Sequence, residues 1–164
     1  LIIKESTSGS FNYIIYRLPF VYGNGMNSNL SKIFKIIDNS FPMLVLDKSI
    51  DMNKSFLSIY NLNRIVKMNI ENEDLFLNTI INASDTDSIS LSDLLKLYKI
   101  KINSKSVFFK INKTTFRIFQ LIPFLNKLII KIYGSFCIDN SKIITSNQCD
   151  LLSTSESLDE YIKI

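Results

Sequence analysis

The stretch that most constrains this chain covers residues 13–25. Its first four residues are apolar or aromatic, and they predict a buried strand of a parallel sheet rather than a half-exposed strand. Pro19 cannot donate to a β-ladder, and Gly23 and Gly25 permit backbone conformations that other residues resist. The chain is therefore expected to leave the sheet near Leu18 and cross an open loop. In open α/β sheets such a strand exit is where ligands bind.

Length and composition predict one globular domain with ample apolar content. The chain has 164 residues, of which 46% are hydrophobic. The net charge of +4 could indicate a nucleic-acid partner, but no basic run is interleaved with aromatic residues. A mixed, solvated surface with lysines scattered among acids and a mild preference for anions such as phosphates is the favoured interpretation. We therefore expect no nucleic-acid partner.

Metal and disulfide chemistry are not expected. The chain has no histidine, and Cys137 and Cys149 do not follow the spacing of metal ligands. They are interpreted as reduced thiols of a cytoplasmic protein.

Periodicity predicts alternating strands and helices. A helix should run from Leu30 to about Asn39, with Ser28 or Asn29 as its N-cap. Residues 1–8 should be the last turns of an earlier helix. The other predicted elements are an edge strand at 41–46, a strand at 55–59, an amphipathic helix from Tyr60, a parallel strand at 79–82, a helix opened by Ser90 and Asp93, short strands at 106–111 and 136–139, and a closing helix at 158–164.

Two strongly apolar helices are predicted at 114–122 and 125–133, separated by Pro123. Lys127 and Lys131 interrupt the second, and neither segment reaches the roughly 20 apolar residues that a membrane span requires. No integral membrane segment is therefore expected. A helical hairpin packed on a small lobe is favoured, and a membrane-surface role of this region stays open as a rival.

Four motifs occur in an order that is typical of one enzyme family. Arg17-Leu18-Pro19-Phe20-Val21-Tyr22-Gly23-Asn24-Gly25 keeps the spacing of Arg-Pro-x-x-Val-Tyr-Gly-x-Gly from arginine to valine, with the proline one place later. Asn29-Leu30, the block from Lys54 to Leu62 and Ile138-Asp139-Asn140-Ser141-Lys142 follow. Over nearly its whole length the chain resembles the extended short-chain dehydrogenase/reductases, specifically the NAD-dependent epimerase/dehydratases that act on nucleotide sugars.

The resemblance implies an α/β fold: the C-terminal part of a Rossmann-type parallel sheet (1–40 and 55–100) with a small mixed α/β substrate-binding lobe (41–54 and 101–164). The chain would be a single incomplete domain. The parent activity would be NAD(P)-dependent epimerisation, dehydration or reduction of a nucleotide sugar, most commonly UDP-linked, in surface polysaccharide synthesis, with a homodimeric full-length enzyme. The glycine-rich cofactor loop and the catalytic Tyr-x-x-x-Lys would lie upstream of Leu1, so the chain alone should be inactive.

The resemblance also assigns binding residues but no catalytic ones. The nicotinamide end of NAD or NADP would contact Leu18, Pro19, Phe20 and Tyr22. The substrate would contact Asn29 and Leu30 at a helix start, Leu44 and Leu46 at the nucleobase, and Lys54 where the family usually has arginine. A lysine cannot form the bidentate fork of a guanidinium. Each assignment has a structural alternative. Leu18 to Phe20 could form a simple strand exit, the two leucines could belong to the core, and Lys54 could be a surface lysine.

Two other patterns favour a structural interpretation over a ligand site. Gly23-x-Gly25 with Asp47 about 20 residues later suggests a dinucleotide fingerprint, but Ser28 stands at the third glycine position and the tight turn after a strand is missing. Asp139 and Lys142 are interpreted as a helix cap with a surface ion pair rather than as ligands. A non-catalytic remnant or binding module of the same fold remains the main rival.

Overall fold

The computed structural model describes residues 12–25, 27–72, 74–124, 127, 133–146 and 149–163. The strands in this part of the chain are β1 (Ile14–Arg17), β2 (Phe20–Tyr22), β3 (Met43–Leu46), β4 (Asn53–Ser58), β5 (Thr79–Asn82), β6 (Ser88–Ser90) and β7 (Phe108–Ile111). The helices are α1 (Asn29–Asp38), α2 (Ile59–Glu71), α3 (Leu91–Lys101), α4 (Lys113–Gln120), α5 (Ser141–Ser146) and α6 (Thr154–Ile162).

The strands form three small sheets in which parallel pairing predominates. β1 pairs with β5, and β3 pairs with β7, both in parallel. β4 lies between β2, which is parallel to it, and β6, which is antiparallel. The predicted α/β class with parallel strands is confirmed. The pairing also shows that the chain moves from one sheet to another between β1 and β2, at Leu18 and Pro19.

The first strand is less buried than predicted. Ile14, Ile15 and Tyr16 are only half-buried, because β5 is the one strand that pairs with β1 among the described residues. The predicted open loop after Leu18 is also wrong in part, since β2 follows Pro19 directly. β2 has only three residues between Pro19 and Gly23, which are too few to show the alternation that predicts a strand.

Serine caps start most of the helices, as short polar side chains do when they bond orphan backbone amides. Ser28 accepts from the backbone amide of Ser31 at the start of α1, which confirms one of the two predicted caps. Ser58 and Ser90 cap α2 and α3 in the same way. Ser153 and Glu156 form a full capping box at α6.

Several predicted boundaries differ from the structure. The helix that Ser90 and Asp93 were expected to open is preceded by the short strand β6, and the closing helix α6 begins earlier than residue 158. Of the strand expected at 136–139, only a single bridge between Lys54 and Phe136 forms. The helix expected at 1–8 and most of the one expected at 125–133 lie outside the described residues.

β4 separates two apolar cores because successive side chains of a strand point to opposite faces. Phe56 joins a core in which the ring of Phe34 stacks on Tyr98 with centroids 4.0 Å apart. Leu57 joins a second core with Ile65 of α2. The first core consists of Tyr22, Leu30, Phe34, Ile37, Val45, Phe56, Leu91, Leu94, Leu95, Tyr98 and Leu158, and the second of Leu57, Ile65, Met68, Ile81, Ala83, Ile143 and Leu151.

A buried carboxylate, Asp85, joins segments that are far apart in sequence. Its Oδ2 accepts from the hydroxyl of Tyr22 at 2.9 Å, and its Oδ1 accepts from the backbone amide of Ser58 at 2.9 Å and from Asn61 Nδ2 at 2.7 Å. Asn61 exchanges two further hydrogen bonds with the backbone of Leu152, at 2.8 and 2.9 Å. Asp85 therefore joins the ends of β2 and β4 to the start of α2. Asn61 extends this network to the chain before α6.

Burial dominates the electrostatics of this carboxylate. Asp85 is 1% exposed, and burial raises its pKa to about 6, while the three donated hydrogen bonds oppose that rise. Burial and the neighbouring Asp85 also raise the pKa of the Tyr22 phenol. The folded state therefore binds a proton at Asp85 more tightly than the unfolded chain does.

Asp85→Asn should remove a pH dependence of stability. Because the folded pKa lies above the ordinary 3.8, the stabilisation from Asp85 is fully present below that value and is lost as pH rises through about 6. Between about pH 4.5 and pH 7.5, the free energy of unfolding of the wild type should fall by roughly 2 kcal/mol relative to that of the variant. Urea unfolding at both pH values measures this, and parallel pH profiles would contradict it.

A second close contact lies at Gly23, directly after β2. A Cβ atom at this position would lie 2.3 Å from Cγ2 of Ile59, the first residue of α2. The register explains this contact, because Tyr22 is paired with Ser58 and the next residues of both segments are therefore neighbours.

Gly23→Ala should destabilise the protein by about 1–3 kcal/mol through overpacking. Ile59→Ala removes the nearest atom, so the cost of Gly23→Ala should be smaller in that background. A double-mutant cycle from denaturant unfolding measures the coupling. Equal costs in both backgrounds would show that the contact with Ile59 is not the cause.

Candidate functional site

A cavity of about 500 Å³ opens where the chain moves from β1 to β2. The carboxyl end of β1 lies at Arg17, and the next two residues bridge the sheets, which is the position where α/β folds bind ligands. Among the described residues the cavity is lined by Leu18, Pro19, Phe20, Lys54, Gly134, Ser135 and Phe136.

Strand register brings Lys54 to this cavity. Phe20 of β2 is paired with Phe56 of β4, so the residues two places earlier, Leu18 and Lys54, lie at the same level. Lys54 is 2% exposed, and its Nζ lies 4.8 Å from the centroid of the Phe20 ring, a cation–π distance. In the described part of the chain its ammonium has no hydrogen-bond or ion-pair partner.

Burial lowers the pKa of Lys54, and the nearby Asp51 carboxylate acts in the opposite direction. A desolvated ammonium without a direct partner is costly, whereas a bound anion would compensate that cost. The site therefore has the electrostatics of an anion-binding position.

The opposite wall is a segment that runs along the edge of β4. The backbone amide of Ser55 donates to the carbonyl of Phe136 at 2.9 Å, and the amide of Ile138 donates to Ser55 Oγ at 2.9 Å. Tyr133 donates its hydroxyl to the carbonyl of Leu44 at 2.9 Å, and burial raises the pKa of this phenol to about 12. These bonds hold Gly134, Ser135 and Phe136 against the cavity.

The structure brings together four of the predicted site residues, Leu18, Pro19, Phe20 and Lys54. The other five do not line the cavity: Tyr22 is fully buried against Asp85, Leu30 and Leu46 are buried, and Asn29 and Leu44 are exposed. Leu44 is paired with Phe109 of β7 on an outward face.

The residues from Gly134 to Phe136 were not predicted as site residues. Their sequence signal, Tyr-Gly-Ser after an apolar segment, indicates a turn but carries no information about which strand it contacts. Asp139, which was predicted to cap a helix, accepts from the backbone amide of Ser141 at 2.9 Å at the start of α5. This bond lowers the pKa of the Asp139 carboxyl.

The described lining is mainly apolar and aromatic, with one cation. It contains no carboxylate, histidine or cysteine among the described residues. No group of acidic or cysteine side chains in the described ranges could hold a metal ion, and both cysteines are free thiols. No helix in those ranges is long and apolar enough to cross a bilayer.

Comparison with solved structures identifies similar folds. A dTDP-4-dehydrorhamnose reductase from Bacillus anthracis, solved with NADP, matches 92% of this chain and 48% of its own at 14% identity and a TM-score of 0.68. A UDP-glucose 4-epimerase from Thermotoga maritima, solved with UDP-glucose, matches 99% and 48% at 13% identity and a TM-score of 0.67. A UDP-glucuronic acid 4-epimerase from Bacillus cereus, solved with NAD, matches 92% of this chain and 44% of its own at 17% identity and a TM-score of 0.60.

These matches concern the fold alone, and the chain spans about half the length of the structures it matches. No family model matches the sequence, and no match to a curated protein was found. The Rossmann-type α/β architecture predicted from the four motifs is confirmed by these neighbours.

Lys54→Met should stabilise the fold while removing the cation. Methionine keeps an unbranched side chain, one heavy atom shorter, without the desolvation cost, so the free energy of unfolding should rise by about 1–3 kcal/mol. Urea unfolding of the variant measures this, with the exposed Lys142→Met as the matched control. A loss of stability greater than that of the control would mean that the Lys54 ammonium has a stabilising partner.

Proposed function

We propose that this chain, which has the fold of the sugar-nucleotide epimerases and reductases, is the nucleotide-sugar-binding portion of an NAD(P)-dependent epimerase, dehydratase or reductase. The observation that carries the proposal is the buried ammonium of Lys54, which has no hydrogen-bond or ion-pair partner among the described residues and lies in the same cavity as Leu18, Pro19 and Phe20. The four motifs and the solved neighbours support it independently.

Lys54 is proposed to bind the diphosphate of the nucleotide sugar as a point charge. The first turn of α1, with Asn29 and Leu30, would supply backbone amides on the same ligand, as a helix start can. Leu44, the exposed one of the two predicted leucines, would border the nucleobase, and the buried Leu46 would support it from the core. The apolar surface of Leu18, Pro19 and Phe20 fits the edge of a nicotinamide ring, and Tyr22 would support this wall from the core through its bond to Asp85.

A bound nicotinamide would accept or supply a hydride at a sugar carbon. The 164 residues contain no Tyr-x-x-x-Lys: Tyr60 is followed four residues later by Arg64, and Tyr98 directly by Lys99. Because this chain offers no proton-transfer pair for that chemistry, the remaining catalytic and cofactor residues would belong to further polypeptide of a homodimeric parent enzyme. Surface polysaccharide synthesis in the cytoplasm is the proposed setting.

A non-catalytic module of the same fold is the second candidate. The presence of lysine where a bidentate arginine would hold a diphosphate more firmly favours it. The two candidates differ in whether the cavity takes a nucleotide sugar at all.

Ligand-observed NMR with UDP-glucose, UDP-N-acetylglucosamine and dTDP-glucose distinguishes the candidates. We expect millimolar or tighter binding by the wild type and by Lys142→Met, and about tenfold or greater weakening in Lys54→Met, because a charge-assisted contact to phosphate is lost. The purified chain should not turn over any of these sugars. Absence of saturable binding, or equal binding by Lys54→Met, would exclude the enzyme-portion proposal.

A further inference from the structure

The charges of this chain are divided unevenly along its length. Between Asp93 and Asp139 lie nine lysine or arginine residues and no acidic residue, so that residues 94–138 carry a charge of +9. The remaining residues contain ten basic and fifteen acidic side chains, a charge of −5. Lysines are therefore mixed with acidic residues only outside residues 94–138, and the predicted mixed surface does not extend to this region.

The same region carries much of the exposed apolar surface. The side chain of Leu121 is 81% exposed, that of Phe124 is 75% exposed, and that of Ile118 is 56% exposed. They lie on α4 and directly after it, and α4 is strongly amphipathic yet contains no buried residue. In the described structure this helix therefore presents an apolar face without a covering element.

Basic side chains accompany this apolar face. Lys110 precedes α4, Lys113 begins it, and Arg117 lies within its last turn; all three are exposed. Lys105 and Lys127, on either side, are exposed as well. We define the α4 surface as the basic and apolar side chains of residues 105–124 together with Lys127.

We propose that the α4 surface docks this protein on an anionic phospholipid membrane. Exposed leucine, isoleucine and phenylalanine side chains gain free energy by entering the boundary between headgroups and acyl chains, and the surrounding cations are attracted by anionic headgroups. The eight residues of α4 are far too short to cross a bilayer, so the helix lies in the interface plane.

A membrane suits this surface better than a nucleic acid does. Both are polyanions that would attract lysine and arginine. Nucleic acids, however, offer no apolar phase for Leu121 and Ile118, whereas single-stranded recognition uses aromatic rings that stack on bases. Leu121, the most exposed apolar side chain of the α4 surface, is aliphatic, and its combination with flanking cations fits the lipid boundary.

Vesicle flotation of the 164-residue chain tests the proposal. The vesicles contain two parts of phosphatidylcholine to one part of phosphatidylglycerol, and pure phosphatidylcholine vesicles serve as the uncharged reference. The chain should float with the anionic vesicles, partition more weakly into the uncharged ones and dissociate as salt is raised. Failure to float, or equal and salt-independent binding to both kinds of vesicle, would overturn the proposal.

Variants assign the binding to the α4 surface. Leu121→Glu and Phe124→Glu should each weaken partitioning about tenfold or more, because an inserted apolar side chain becomes charged. The triple variant Lys110→Gln, Lys113→Gln, Arg117→Gln should weaken it about a hundredfold. The matched controls are Ile70→Glu, at an apolar position of α2 that is 69% exposed, and the triple variant Lys32→Gln, Lys35→Gln, Lys67→Gln. Each control should partition at least tenfold more strongly than its counterpart on the α4 surface.

Two further measurements test whether the loss of flotation comes from unfolding and whether the partner is a nucleic acid. Circular dichroism and urea midpoints of all variants should match those of the wild type, because the substituted side chains are exposed. A titration with single-stranded RNA identifies the rival partner: RNA binding that needs the basic residues but not Leu121, together with absent flotation, would replace the membrane with a nucleic acid. Controls that lose flotation as strongly as the α4 variants would also overturn the proposal.

Discussion

The fold depends on one buried carboxylate. Asp85 accepts three hydrogen bonds, from Tyr22, Ser58 and Asn61, and these residues end β2, end β4 and begin α2. Asn61 extends the network to Leu152, and Thr154 closes it because the Tyr22 hydroxyl also lies 3.4 Å from its carbonyl. A network of this kind stabilises a structure only when its members are satisfied, since each unpaired buried polar group costs about 1–3 kcal/mol. The relative positions of the central strands and the C-terminal helix thus depend on a few donors around one side chain.

The cavity follows from this arrangement. β2 and β4 are held in register at their carboxyl ends by the Asp85 network, and that register places Leu18 level with Lys54 at the other end of the pair. Pro19 ends the pairing of β1 and allows the chain to enter a second sheet, because it has no amide proton for a continuing ladder. The cavity and the Asp85 network consequently lie at opposite ends of the same pair of strands. Backbone pairing, rather than a hydrogen-bond or ion-pair partner, determines the position of Lys54.

Sequence reasoning predicted most elements and part of the site. Apolar periodicity located α1, α2 and β5, and short polar side chains such as Ser28 and Ser90 identified helix starts, because these signals are local. The strand β2 was missed because three residues are too few to show alternation. Lys54 was predicted from a motif, whereas the Gly134–Phe136 wall depends on pairing with a strand about 80 residues earlier, which no local pattern encodes. Asp85 was missed for a similar reason, since its three partners, Tyr22, Ser58 and Asn61, lie 24 to 63 residues earlier in the chain.

β4 continues directly into α2, and this limits which mutations the joint between them can tolerate. Ser58 is both the last residue of the strand and the cap of the helix, so no linker residue separates the two elements. One inserted or deleted residue at this joint would rotate every following side chain of α2 by about 100° around the helix axis. The apolar stripe containing Ile65 and Met68 would then turn away from the second core. We therefore expect sequence drift at this joint to proceed by substitution, while changes of length accumulate in the segments that join other elements.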